Sequence, residues 1–250
     1  MHYFHLLKEQ YKAALGHEIQ IFKPATTSEH WYGFDQAYFT ADIPKPEVIE
    51  DLEDFIQSDA TPGFRSFRAF LLQFKVVEIL NTRSVYAPTG WKAPYYRSEL
   101  YLEPNPNTQI SQHESLRRLS GLPGASVAYV CPMIFDENDV VKDAKLSDLQ
   151  FVDVSTSPNG WLTTERHFIA FQQKNSTPVW CSDPVVGRTI GLEQIIERAT
   201  PLNLDGLIGI LNKFQRTLTE HIPLTERLVY LGGFESNILP KCLSIVAEIV

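Results

Sequence analysis

Residues 67–77 read Phe-Arg-Ala-Phe-Leu-Leu-Gln-Phe-Lys-Val-Val, and this segment constrains the fold more than any other. From Phe70 to Val77 it is apolar except at Gln73 and Lys75. A short, near-continuous apolar run predicts a strand covered on both faces, which requires layers of structure on either side. Gln73 and Lys75 stand at i, i+2 and therefore share one face of that strand. An unpaired ammonium in such a setting costs on the order of several kcal/mol. Both side chains need partners, and the nearest acid in an aromatic strand-like segment is Asp35, within Gly33-Phe34-Asp35-Gln36.

The remaining periodicities predict an α/β (α+β) domain with a mixed sheet flanked by helices. An opening helix over 4–15 stops at Gly16; a short strand spans 19–22, and 30–39 forms a second. Pro44 and Pro46 introduce an acidic helix at 46–57, and strands follow at 67–77 and 95–102. Ser111 with Glu114 three positions on has capping-box spacing for a helix over 111–120, and 126–131 forms the next strand. Further strands are expected at 150–154, 166–172 and 178–181. A division into an α/β domain (1–182) and a helical C-terminal region (183–250) follows. In the latter, a stripe of Leu204, Leu207, Ile208, Leu211, Leu218 and Ile222 fits core or a homodimer or partner interface.

Charge is distributed unevenly. The 250 residues carry a formal net charge of −8, which argues against a general nucleic-acid coat protein. Segment 42–59 holds seven acids against Lys45, whereas 60–98 holds six bases against Glu78, with eight aromatic rings among them. Cations beside rings suit a local nucleic-acid surface, for which Arg65, Arg68, Arg97 and Tyr95 are the candidates; buried rings and solvated arginines are the competing reading. No stretch approaches 18 consecutive apolar residues, so no membrane partner is expected. Met1 to Lys8 lack a secretory pattern, and three widely spaced cysteines (Cys131, Cys181, Cys242) fit reduced thiols, so a cytoplasmic location is expected. P-loop, dinucleotide-binding and nucleophile-elbow motifs are missing from the sequence.

A carboxylate, an amide oxygen and an ammonium at one point suit phosphodiester hydrolysis. Asp35 would bind a divalent ion, Mg²⁺ or Mn²⁺, with the Gln73 carbonyl as a second oxygen ligand. Lys75 would orient or help deprotonate the attacking water and offset the charge that develops. In this Asp…Gln-x-Lys pattern the chain resembles the PD-(D/E)xK nuclease superfamily, in its Mrr-like variant, over residues 4–135. The resemblance implies a restriction-endonuclease-like core: a helix carrying an acid (Glu9, a further metal ligand), a strand with Asp35, a strand with Gln73 and Lys75, then a helix and a strand. It also implies that Gln112, at the start of that later helix, projects toward the site and its nucleic acid, DNA ahead of RNA. Its functional implication is a metal-dependent nuclease, with defence against foreign nucleic acid as one setting. A glutamine in place of the commoner carboxylate removes a charge from the ligand set.

Two other readings stand beside this one. Asp35 and Lys75 also suit a buried ion pair with Gln73 as a core amide, and the whole chain suits a non-catalytic scaffold that docks a partner through its C-terminal region.

Overall fold

The computed structural model describes residues 2–17, 19–22, 35–41, 67–104, 111–121, 125–135, 145–161, 166–181 and 184–199. The acidic helix expected at 46–57, Arg65 and the 204–222 stripe lie outside these residues.

The described chain forms two five-stranded sheets and three helices. Helix α1 (His2–Leu15) ends where Gly16 takes φ +72° and its N–H reaches the Lys12 carbonyl at 2.9 Å, a left-handed stop that glycine adopts without a Cβ penalty. Strands β1 (Gln20–Phe22), β2 (Gln36–Ala41) and β3 (Phe67–Phe74) form an antiparallel meander. The chain then leaves this sheet, makes β4 (Glu78–Leu80), β5 (Tyr95–Leu100) and α2 (Gln112–Leu119), and returns as β6 (Ala125–Pro132), parallel to β3. Strand β7 (Leu149–Asp153) completes a first sheet of order β1-β2-β3-β6-β7.

Strands β8 (His167–Phe171), β9 (Val179–Cys181) and β10 (Val185–Val186) join β5 and β4 in a second sheet of order β10-β9-β8-β5-β4. Helix α3 (Leu192–Arg198) follows. The sequence predicts one mixed sheet for this region; the structure instead forms two, with β5 paired antiparallel to β8 in the second. Alternating apolar residues specify a strand and its buried face but not its neighbour, because pairing is set by contacts distant in sequence.

The alternation along β3 separates two environments. Phe70 and Leu72 join Leu7 and Tyr11 of α1, Ala128 and Val130 of β6, and Ile195 and Ile196 of α3 in one core cluster. Tyr11 stacks on Phe70 with ring centroids 4.4 Å apart, worth about 1 kcal/mol beyond the area it buries. Gln73 and Lys75 face the other way. Their face meets α2 and, beyond Tyr129 of β6, the second sheet through Trp180. Residues 184–199 therefore contribute both to the second sheet, as β10, and to the α1-side core of the first, through Ile190 and α3.

Candidate functional site

Register builds the candidate site. Gln36 lies opposite Leu72 across the β2–β3 pair, and the Asp35 N–H reaches the Leu72 carbonyl at 3.0 Å. This places Asp35 beside the end of β3. Its Oδ2 accepts the Phe74 N–H at 2.8 Å, and its Oδ1 accepts from Gln73 Nε2 at 2.8 Å. On the other side of β3, Gln73 pairs in register with Tyr129 of β6, and the Lys75 N–H donates to the Val130 carbonyl at 2.8 Å. The ladder thus extends one residue past Phe74 and keeps Lys75 on the Gln73 face.

Helix α2 closes the cluster from above. Ser111 caps it, its Oγ accepting the Glu114 N–H at 3.1 Å. The Glu114 carboxylate accepts from Arg117 and Arg118 instead of reaching back, so only half of the expected capping box forms. Gln112, the first helical residue, bridges the other groups. Its Nε2 donates to Gln73 Oε1 at 2.9 Å, and its Oε1 accepts from Lys75 Nζ at 3.3 Å. Lys75 Nζ also lies 5.4 Å from the centroid of the Tyr129 ring, a cation–π contact. Gln73 is buried, while Asp35, Lys75 and Gln112 are half-buried. Burial pushes the Lys75 ammonium below its ordinary pKa, opposed by the Asp35 carboxylate and the Cys131 thiol. Burial pushes that thiol up to about 12, with Lys75 opposing. Cys131 and Cys181 are both buried free thiols.

The structure therefore brings together Asp35, Gln73, Lys75 and Gln112. It does not bring in Glu9. Helix α1 covers the opposite face of the sheet, and Glu9 is exposed on the side of the helix away from Leu7 and Tyr11. Arg68 sits on the α1 face of β3, not the Gln73 face. Tyr95 and Arg97 belong to the second sheet. Tyr95 is only 2% exposed, its hydroxyl accepting the Ser84 N–H at 3.2 Å, so its ring is core and offers no face for a base. Arg97 pairs with Glu78 at 3.3 Å and lies 4.5 Å from the Phe168 ring centroid.

A divalent ion would find hard oxygen donors here, one carboxylate and an amide oxygen. Mg²⁺ is commonly held by one or two carboxylates together with substrate phosphates, and Asp35 with Gln73 fits such a partial set. The fit requires the Gln73 amide to turn, because its nitrogen, not its oxygen, faces Asp35. Among the described residues no group of three His, Cys, Asp or Glu side chains is placed to hold a metal.

Sequence reasoning missed a neighbouring aromatic cluster. His113, next to Gln112, is buried and stacks on Tyr129, its Nδ1 and the Tyr129 hydroxyl 2.7 Å apart. Trp161 and Trp180 pack against the same imidazole. Burial lowers the His113 pKa to about 4. Alternation marked Tyr129 and Trp180 as strand residues, but nothing local brought them to His113. No family model matches the chain, and neither a curated protein nor a solved structure matches it.

Proposed function

We propose that this protein is a metal-dependent nuclease, hydrolysing phosphodiester bonds of DNA or RNA at the Asp35–Gln73–Lys75 cluster. The observation that carries the reading is that hydrogen bonds link those three side chains where β3 ends, Asp35 to Gln73 directly and Gln73 to Lys75 through Gln112. The chain order of helix, strand with Asp35 at its head, strand with Gln-x-Lys, helix and parallel strand supports the same reading. Mg²⁺ or Mn²⁺, bound by Asp35 and the Gln73 oxygen, would supply Lewis-acid polarisation of the phosphate and a more acidic water. The chain's own groups have separable tasks. Asp35 is held in position at both carboxylate oxygens by Gln73 and the Phe74 N–H. Lys75, on its strand-end tether, orients the attacking water and stabilises the charge gathering on phosphorus-bound oxygens. A cytoplasmic role in defence against foreign nucleic acid belongs to this reading.

One observation favours a second reading, a non-catalytic interaction protein. The four polar groups satisfy one another, as a structural network in a sheet interior does.

Incubating the purified chain with single- and double-stranded DNA and RNA, in Mg²⁺ and in Mn²⁺, separates the two. The nuclease reading predicts cation-dependent cleavage that Lys75→Met lowers by about 10²- to 10³-fold, the range for removing a preorganised charge-stabilising group. No cleavage in either cation, with no cation-dependent rise in melting temperature, would sink it in favour of the second.

A further inference from the structure

Asp35, Gln73, Gln112 and Lys75 form a chain of hydrogen bonds whose direction is fixed at both ends. An ammonium only donates, so Gln112 must present its oxygen to Lys75, at 3.3 Å. Its NH₂ is then directed at Gln73, 2.9 Å from the Gln73 oxygen. The Gln73 NH₂ is left for Asp35, a carboxylate that only accepts, at 2.8 Å. Each amide has one way to sit, and the two orientations are locked together.

We propose that Gln112 is a positioning residue that ties the orientation of the Gln73 amide to the freedom of Lys75. The inference rests on the reading of Asp35 and Gln73 as a cation site. For Gln73 to offer its oxygen to a cation at Asp35, its NH₂ must turn toward Gln112. Two NH₂ groups cannot hydrogen-bond to each other, so Gln112 must turn as well and give its oxygen to Gln73. Its NH₂ then faces the Lys75 ammonium, donor against donor, and the hydrogen bond that parks Lys75 is lost. In the arrangement seen here Lys75 is held by α2; with the amides reversed it is released toward the Asp35 end of β3, where the water and phosphate belong. Binding of the cation and delivery of the lysine become one event, and Gln112 never touches the cation.

The test uses the full chain with ¹⁵N-labelled glutamine and lysine side chains, titrated with Mg²⁺. The Gln73 and Gln112 amide signals should shift together with one midpoint, while the protected Lys75 ammonium signal is lost to water exchange. Asp35→Asn should abolish all three responses. Gln112→Glu should retain the Lys75 signal at every Mg²⁺ concentration, since a carboxylate has no NH₂ to turn toward it. A Gln73 shift without a Gln112 shift, or a Lys75 signal that persists in the wild type, overturns the inference and leaves the cation site standing. If no signal moves and Mg²⁺ does not alter the melting temperature, the cation reading itself fails. Should Gln112→Glu not fold, the wild-type titration alone decides.

Discussion

His113 shows how one buried side chain can set the acid limb of stability. Its ring lies between Tyr129, Trp161 and Trp180, and its Nε2 has no hydrogen-bond partner among the described residues. Desolvation lowers its pKa to about 4; Glu114 opposes the shift, while Arg117, Lys75 and His167 add to it. The unfolded chain takes up this proton near the ordinary histidine value and the folded chain does not, so stability falls as pH drops from about 6.5 to about 4. The full loss across that window is about 3 kcal/mol. His113→Phe should remove it, with urea midpoints of variant and wild type converging as pH falls. Parallel pH profiles for the two proteins would show that the imidazole is not the titrating group. The neutral imidazole also spares Lys75 a second cation at close range.

Element by element, helix α2 has consequences beyond its eight residues, because its first residue holds both Gln73 and Lys75. Ser111→Ala removes the cap on the Glu114 N–H and should cost about 1 kcal/mol by urea denaturation. Ser111→Asp should recover most of it, since a carboxylate caps equally well. If Gln112 positions Lys75, Ser111→Ala should also weaken cleavage, whereas an equally destabilising change in the α1 core should not.

The sequence made much of this level legible. The strand from Phe67, the helix capped by Ser111 and the contact of Asp35 with Gln73 follow from period, capping and the need to satisfy polar groups in an apolar strand. The apolar run predicts a strand to Val77, but it ends at Phe74 with Val76 exposed to solvent, and Lys75 finds Gln112 rather than Asp35 as its hydrogen-bond partner. Gln112 was placed near the site, but as a contact for nucleic acid. That its amide is spent on Gln73 and Lys75 depends on how α2 docks, which helical spacing does not encode. The separation of Arg97 and Tyr95 from Lys75 was hidden for the same reason: they stand near Lys75 in the chain, whereas pairing places their strand in the other sheet.

For the molecule as a whole, Asp153 is the joint between the first sheet and the segment that follows the second. It ends β7, and its Oδ2 accepts from Arg188 at 2.5 Å and from Arg198, on α3, at 2.6 Å. Its Oδ1 accepts from the Ser155 N–H at 3.0 Å and the Ser155 hydroxyl at 2.7 Å. Burial alone would raise this carboxyl's pKa, but the bonds from Ser155, Arg198 and Arg188 outweigh it and hold the carboxyl below its usual range. A depressed pKa gives stability that is present above the ordinary carboxylate value and lost as pH falls through the folded one. Asp153→Asn should therefore cost about 2 kcal/mol near neutrality, less than a fully buried pair because the arginine side chains are 54% and 37% exposed. The deficit should shrink in strong acid. Limited proteolysis should cut the variant first around α3; cleavage spread evenly over the chain would mean that Asp153 is not the anchor. Sequence reasoning passed over this hub because the arginines lie 35 and 45 residues downstream, with no local pattern to point back.

The parallel pairing of β3 with β6 carries a consequence in time. Parallel neighbours need a crossover, and here it contains β4, β5 and α2 before β6 arrives. While the chain is being synthesised, β2 and β3 can meet early, yet Gln73 and Lys75 lack α2 above them until Leu119 has been made and Tyr129 beside them until β6 follows. Asp35 alone is at hand to meet them. A nascent chain is thus without its complete polar cluster well after Lys75 has been made, and contacts this distant in sequence form slowly. The polar cluster is complete only once the sheet has closed.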